Sequence, residues 1–182
     1  MTTEVRPTSI DGLYELANQA FCDHRGAFLN AFRVQEPAFA QAWGNQYIAQ
    51  VNLSSTKDVG VLRGLHLQAP PHGEAKLVRC LRGRVLDVAV DLRSDSVTYG
   101  HWYAVELSPG AANALLIPEG CAHGFQVLVP DSDLLDLRSG TRVPEPETWV
   151  RFDDPQLAIP WPLTPRGLSE KDLALPLLES LP

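Results

Sequence analysis

The chain has 182 residues, of which 45% are hydrophobic and 20% charged; this suffices for one buried core and is too short for two ordinary domains. The composition excludes intrinsic disorder, and a formal charge of −7 gives no general attraction to nucleic acid or to an anionic membrane. Because the start of the chain lacks the apolar core of a signal peptide and no apolar run approaches about 18 residues, we expect a cytoplasmic protein with one domain over 1–182.

Short runs rich in β-branched and aromatic residues make up most of the chain from Gln46 onward, separated by clusters of turn-forming residues. Many strands at such short intervals are typical of an all-β sandwich or jelly roll. In chain order the sequence predicts a helix over Glu36–Trp43, strands over Gln46–Ser54 and Val59–Gln68, a hairpin in Lys76–Leu92 turning at Arg82-Gly83, and strands over Tyr99–Leu107, Ala114–Pro118 and Ala122–Val129. A proline-punctuated tail is expected to wrap the core, with a last helix over Glu170–Leu175 capped by Ser169.

Three positions carry side chains suited to chemistry. Arg63 and His66 lie three residues apart in a predicted strand, so their side chains point to opposite faces unless a bulge or Gly64 redirects one of them. Lys76 opens an otherwise apolar strand, where its ammonium could stabilise an enolate oxygen or simply be solvated. His123 is flanked by glycines, and like His66 it fits either a pocket or an ordinary packed position.

Metal binding is a competing use for the histidines. Metal-binding cupins usually place two histidines one residue apart, followed by a carboxylate and a later histidine. Here His66 and His72 are six residues apart, Glu74 follows, and His123 is distant. This spacing predicts no metal site.

A set of motifs, read together in chain order, extends over nearly the whole sequence. It comprises Asp23 to Gly26, Asn52-Leu53-Ser54, Val61 to Gln68, Lys76 to Arg79, Asp87 to Arg93, Ile117 to Phe125, Asp154-Pro155, Trp161-Pro162 and Ser169 to Asp172. The set resembles the dTDP-4-dehydrorhamnose 3,5-epimerase family. The resemblance implies a cupin-type double-stranded β-helix, or jelly roll, with short peripheral helices and usually a homodimer. It also implies a nucleotide-linked 4-keto-6-deoxyhexose as substrate and neither a metal nor an organic cofactor.

The resemblance also implies residue roles. His66 matches the base that removes a proton from a carbon acidified by the ketone, and Asp172 matches the aspartate that orients and charges this base. Lys76 matches the residue that stabilises the enolate, which completes the catalytic set. The substrate-binding matches are Arg25 and Arg63 for the diphosphate, Gln50 and Asn52 for the nucleotide and sugar, and His123 as a pocket histidine without an assigned role.

The sequence departs from the family pattern after Phe125. The family carries a Leu-Tyr-Lys segment there, whose tyrosine delivers a proton from the far face, and an ungapped count places Asp136 at the tyrosine position. Two aromatic residues expected in the pocket wall are replaced by Thr141 and Arg142. Trp149 is a candidate replacement for the lost aromatic surface.

These retained and altered residues leave three functions open. The first is an epimerase at C3, C5 or both, with water or Asp136 as the proton donor. The second is an isomerase, eliminase or cyclase that uses His66, Asp172 and Lys76 on a modified carbonyl compound. The third is a non-catalytic protein that binds sugar nucleotides. The complete base and lysine set argues against the third function, and the family resemblance favours the first.

Overall fold

The computed structural model describes residues 3–44, 46–141 and 147–181. These residues form thirteen strands, two short α-helices and a 3₁₀ turn at 178–180. The first half of the chain contains β1 (Thr3–Pro7), β2 (Tyr14–Asn18), β3 (Phe21–Asp23), β4 (Gly26–Phe28), α1 (Pro37–Trp43), β5 (Gln50–Thr56), β6 (Leu62–Gln68) and β7 (Lys76–Arg82). The second half contains β8 (Val85–Asp91), β9 (Trp102–Leu107), β10 (Asn113–Ile117), β11 (Cys121–Val127), β12 (Ser132–Arg138), β13 (Glu147–Trp149) and α2 (Glu170–Leu173).

Two antiparallel sheets make up the body of the protein. One has six strands in the order β1-β2-β10-β7-β12-β5, and the other has five in the order β13-β6-β11-β8-β9. Strands β3 and β4 form a separate small hairpin. Since many neighbours within a sheet are distant in sequence, the chain passes repeatedly from one sheet to the other. This arrangement is a jelly roll and confirms the predicted all-β fold class.

Three apolar clusters hold the layers together. One lies between the sheets and includes Val78 and Phe125. A second covers the outer face of the five-stranded sheet, where the C-terminal tail contributes Leu178. The third packs Phe39 and Trp43 of α1 against the six-stranded sheet. Because β10 and β11 are covered on both faces, they are buried along their whole length. The tail wraps the core as predicted.

The predicted helices are present, and the strand boundaries differ from the predicted ones by a few residues. Helix α1 coincides with its prediction, whereas α2 has only four residues. Ser169 accepts a hydrogen bond from the Asp172 backbone N–H and forms the predicted N-cap. Strand β9 begins at Trp102 rather than Tyr99, because the preceding residues form a turn in which the N–H of His101 donates to the carbonyl of Thr98.

The predicted hairpin at Arg82-Gly83 is wrong. Strand β7 pairs with β10 and β12, while β8 pairs with β9 and β11, so the turn carries the chain between the sheets. Gly83 has a φ of 79°, and an added Cβ would lie 2.2 Å from the Ser132 hydroxyl. A positive φ and so close a contact favour glycine. The same two residues would also fit a hairpin turn, so they do not distinguish the two connections. The sequence did not predict β1 to β4, β12 or β13. No helix in the described part of the chain is long and apolar enough to span a bilayer.

Candidate active site

A cavity of about 560 Å³ lies between the two sheets, lined by β5, β6, β7, β11 and β12 and by the segment around α2. This volume suits a small-molecule ligand. Side chains distant in sequence meet there. The lining includes the sequence-predicted residues Gln50, Asn52, Arg63, His66, Lys76, His123, Asp136 and Asp172.

Strand β6 presents both Arg63 and His66 to this cavity, although a spacing of three places residues on opposite faces of a regular strand. Gly64 between them has a φ of 131°, and the pairing register between β6 and β11 shifts at this point. An added Cβ at Gly64 would lie only 2.5 Å from the Cα of Gly124. The glycine and the irregular pairing therefore redirect one of the two side chains. This is the predicted condition under which Arg63 and His66 could share a face.

His66 and Asp172 form a hydrogen-bonded pair, with 2.8 Å between His66 Nε2 and Asp172 Oδ1. The other oxygen of Asp172 accepts hydrogen bonds from the backbone N–H and the hydroxyl of Ser169. Burial opposes the ionisation of Asp172, but hydrogen bonds from His66 and Ser169 outweigh it and lower the pKa of Asp172 to about 2. Burial lowers the pKa of His66 below its ordinary value, against the effect of Asp172. A neutral imidazole beside a fixed carboxylate is the arrangement of a general base.

Lys76 lies at the start of β7 with only 3% of its surface exposed. Its ammonium donates a hydrogen bond of 3.1 Å to the backbone carbonyl of His66 and lies 3.9 Å from a carboxylate oxygen of Glu74. Burial and the nearby charge of Arg138 lower the pKa of Lys76 to about 8, while Glu74 opposes this shift. A buried ammonium close to the base is placed to stabilise negative charge on a substrate oxygen.

His123 belongs to a second histidine and aspartate pair, which is more buried. Its Nε2 lies 2.8 Å from Oδ1 of Asp87, whose side chain is inaccessible to solvent. Burial raises the pKa of Asp87, against the opposing charge and hydrogen bond of His123. His123 is also the cross-strand partner of His66. Asp87 was not predicted as the partner of His123, although an acid within the apolar run of β8 was a usable signal.

Asp136 lies on β12, in the sheet that faces the His66 strand across the cavity. Its Oδ2 accepts a hydrogen bond of 2.7 Å from Nε of Arg138. A second nitrogen of Arg138 donates to Glu74 at 2.8 Å. Arg138 and Glu74 also line the cavity, although neither was predicted as a cavity residue. The alternation of Asp136 and Arg138 in one strand was the available signal, because residues two apart share a face.

Polar groups suited to a nucleotide sugar lie on the same lining. Arg63 is exposed at the cavity and forms no hydrogen bond or ion pair with any residue in the described ranges, so its guanidinium is available for phosphate oxygens. Gln50 donates a hydrogen bond of 2.7 Å to the Asn52 side-chain oxygen. Lys171, adjacent to Asp172, also belongs to the lining, which contains the cations Lys76 and Arg138 as well.

The remaining predicted positions lie elsewhere. Arg25 lies in the turn between β3 and β4, 79% exposed in its side chain, and pairs with Asp23 at 2.6 Å. Thr141 is exposed and does not belong to the cavity lining. Arg142 lies outside the described residues. For Trp149 the structure describes the backbone in β13 and not the side chain.

A sequence model of the dTDP-4-dehydrorhamnose 3,5-epimerase family matches residues 7–180. The chain belongs to this family. The dTDP-4-dehydrorhamnose 3-epimerase of Streptomyces niveus is 41% identical over 169 residues, which cover 92% of this chain and 80% of that protein. The dTDP-4-dehydrorhamnose 3,5-epimerase of Sinorhizobium fredii is 40% identical over 163 residues, which cover 89% of this chain and 83% of that protein. The family relatives therefore include enzymes named for one centre and for two.

Solved structures of family members share the fold closely. The crystal structure of NovW, a 4-keto-6-deoxy sugar epimerase from the novobiocin biosynthetic gene cluster of Streptomyces spheroides, matches with a TM-score of 0.92 and 40% identity, covering 98% of this chain and 89% of NovW. The dTDP-6-deoxy-D-glucose-3,5-epimerase of Legionella pneumophila, solved with dTDP-4-keto-L-rhamnose, matches with a TM-score of 0.91 and 38% identity, covering 99% and 95% of the two chains.

The base set expected from the sequence lies in this cavity, and Asp136 and Arg138 lie on the wall that faces it. The described residues that line the cavity contain no tyrosine. The described ranges also contain no group of three or more His, Cys, Asp or Glu residues arranged to hold a metal ion. The groups present can remove a proton, stabilise an oxyanion and bind phosphate.

Proposed function

We propose that this chain is a sugar-nucleotide epimerase that inverts C3, C5 or both carbons of a nucleotide-linked 4-keto-6-deoxyhexose in deoxysugar biosynthesis. The observation that carries this proposal is the placement of the His66 and Asp172 pair beside the buried Lys76 in one cavity. A protein that only binds sugar nucleotides would not require a base, its carboxylate partner and an oxyanion-stabilising cation together. We also propose that the protein is cytoplasmic. Residues 1–182 form a single domain in this proposal.

The proposed reaction proceeds through an enolate. The 4-ketone acidifies the C–H bonds at C3 and C5, so His66 can take a proton while Asp172 stabilises the resulting imidazolium. Lys76 stabilises the charge that develops on the ketone oxygen. Return of a proton to the opposite face inverts the carbon. We propose water as the donor of this proton, since the cavity is open to solvent at His66, whose side chain is 38% exposed.

Hydrogen exchange tests this function directly. Incubation of the protein with dTDP-4-keto-6-deoxyglucose in heavy water is expected to introduce deuterium at C3, C5 or both, as followed by NMR. The His66→Ala variant should show no exchange, because the base is absent, while still binding dTDP. Binding of the nucleotide sugar by the native protein without any exchange would contradict the epimerase and favour a modified carbonyl substrate or a binding role.

We further propose that the protein works as a homodimer in which the partner's Arg25 reaches the diphosphate. Arg25 lies away from the cavity of its own chain. Large apolar side chains are exposed in the β3 and β4 hairpin that carries Arg25 and on the edge strand β5. Exposed apolar edges of this kind are usually covered in a native assembly. The exposed side chains are Phe21, Phe28, Val51 and Leu53, between 51% and 65% exposed.

A mixing experiment tests whether Arg25 acts across subunits. Arg25→Ala is expected to raise KM about 10-fold or more, through loss of charge-assisted hydrogen bonds. Co-expression of Arg25→Ala with His66→Ala should then restore about a quarter of native activity, since half of the dimers are mixed and each mixed dimer holds one intact site. No restoration would mean that Arg25 acts in the site of its own chain or outside the reaction. A molar mass of 20.0 kDa by light scattering, that of a single chain, would exclude the dimer.

A further inference from the structure

The wall facing His66 is built from strands β5, β12 and β7, which pair in regular register from Leu134 to Arg138 of β12. Their inward-facing side chains form rows, each with one residue from every strand. The β12 residue occupies the middle of each row, so its neighbours determine what its charge can do. The first row is Gln50, Arg138 and Lys76, and the second is Asn52, Asp136 and Val78.

Arg138 is held between two carboxylates. Its Nε donates to Asp136 at 2.7 Å and its Nη1 donates to Glu74 at 2.8 Å, so two edges of the guanidinium are fixed. The side chains of Asp136, Arg138 and Glu74 are 14%, 21% and 1% exposed. With Lys76, the group contains two acidic and two basic side chains, and its formal charges balance.

One oxygen of Asp136 is left without a protein partner. Oδ2 is engaged by Arg138, whereas Oδ1 is buried and has no hydrogen-bond partner among the described residues. A buried acceptor without a partner is unfavourable, because it has given up hydrogen bonds to water. In its ion pair with Arg138, the Asp136 carboxylate acts as an acceptor rather than as a proton donor. A donor group of a ligand in the cavity would complete its hydrogen bonding.

We propose that Asp136 is a specificity residue that accepts a hydrogen bond from a hydroxyl or ammonium substituent of the sugar ring, and that Arg138 and Glu74 hold it in position. The proposal rests on the proposed function, because it assumes a nucleotide-linked hexose in this cavity. Asp136 thus selects substrates that carry a donor on the ring face away from His66. Hydroxyl and amino sugars share this chemistry, and the experiment below distinguishes them.

Binding to unreactive ligands tests the proposal. Calorimetry would compare dTDP, dTDP-6-deoxyglucose, its analogues with single hydroxyls replaced by hydrogen, and the corresponding amino analogues. For the native protein, one deoxy replacement is expected to weaken binding at least about 10-fold, as for loss of a hydrogen bond to a charged group. In Asp136→Leu the same replacement should change affinity less than about 2-fold, while dTDP alone binds as before. The matched control Asp133→Leu, in the same strand but outside the cavity lining, should keep the native pattern.

Further variants keep the test decisive. If Asp136→Leu does not fold, Asp136→Asn retains an acceptor without the charge, and it should reduce any preference for the amino analogue over the hydroxyl. Arg138→Gln should weaken the coupling between Asp136 and the ring substituent, which a merely structural role would leave unchanged. Equal losses for every deoxy analogue in native and Asp136 variants would overturn the proposal.

The binding experiment and the exchange experiment can fail separately. Coupling between Asp136 and a ring substituent without deuterium exchange would support the specificity residue and contradict the epimerase. Exchange without such coupling would support the epimerase and refute the role of Asp136. Failure of all dTDP ligands to bind would refute both, since each requires a nucleotide sugar in the cavity.

Discussion

Replacing Asp172 with asparagine is expected to lower kcat for hydrogen exchange and for epimerisation by ~10²- to 10⁴-fold, with little change in KM. Asp172 accepts a hydrogen bond from the His66 ring at 2.8 Å, which fixes the ring and stabilises its protonated form. An asparagine of the same shape loses the charge and can present an N–H to the imidazole instead of an oxygen. Asp172 is therefore a positioning residue whose effect is exerted through His66.

The pH profile separates this role from a structural one. Asp172 raises the pKa of His66 against the effect of burial, so its loss lowers that pKa further. Because the base must be neutral, the acid limb of the kcat/KM profile should move to lower pH in Asp172→Asn even as the rate falls. Ser169→Ala is the control, since it removes a helix cap on Asp172 and leaves the contact with His66. A similar loss of kcat in both variants, without a shift of the acid limb, would mean that Asp172 only anchors α2.

Most of the strands that the sequence predicted are buried and therefore carry an apolar pattern. Strand β5 is the exception, because its apolar residues Val51 and Leu53 are exposed. Strands β3 and β4 are exposed at every residue, so no alternation marks them. In β12 the inward positions carry Asp136 and Arg138, because they line a cavity rather than the core, and the apolar pattern is broken. The hairpin error has another cause. The residues Arg82-Gly83 indicate only that the chain reverses between β7 and β8. Which strands these two pair with depends on how the sheet faces are buried, and that is not encoded in the turn.

The site residues followed from the ordered motifs more than from their spacing. Taken alone, His66 and Lys76 each fitted an ordinary packed or solvated role, and the meeting of Arg63 with His66 depended on the irregular backbone at Gly64. The charge group around Arg138 was not predictable in this way. Glu74 and Arg138 are 64 residues apart, and only the pairing of β12 with β7 brings them together.

Replacing Lys76 with methionine is expected to reduce kcat/KM by ~10²- to 10³-fold, as for removal of one oxyanion-stabilising group. Exchange at C3 and C5 should fall by the same factor, because enolate formation is the step affected. Lys76→Gln provides the matched comparison, since an amide can keep the hydrogen bond to the His66 carbonyl, 3.1 Å from the ammonium, but not the charge. Recovery of activity in Lys76→Gln would mean that the lysine merely supports the β6 backbone.

The charge on Lys76 also predicts the alkaline limb of the kcat/KM profile. Burial and Arg138 bring the pKa of Lys76 to about 8, against the opposing charges of Glu74, Asp136 and Asp87. The ammonium is present below that pH and is lost above it, so kcat/KM should fall as the pH rises through about 8. Arg138→Gln removes a neighbouring positive charge, which favours the ammonium and should move the limb to higher pH. An alkaline limb that stays in place in Arg138→Gln would assign it to another group and remove the argument for a charged Lys76 in the reaction.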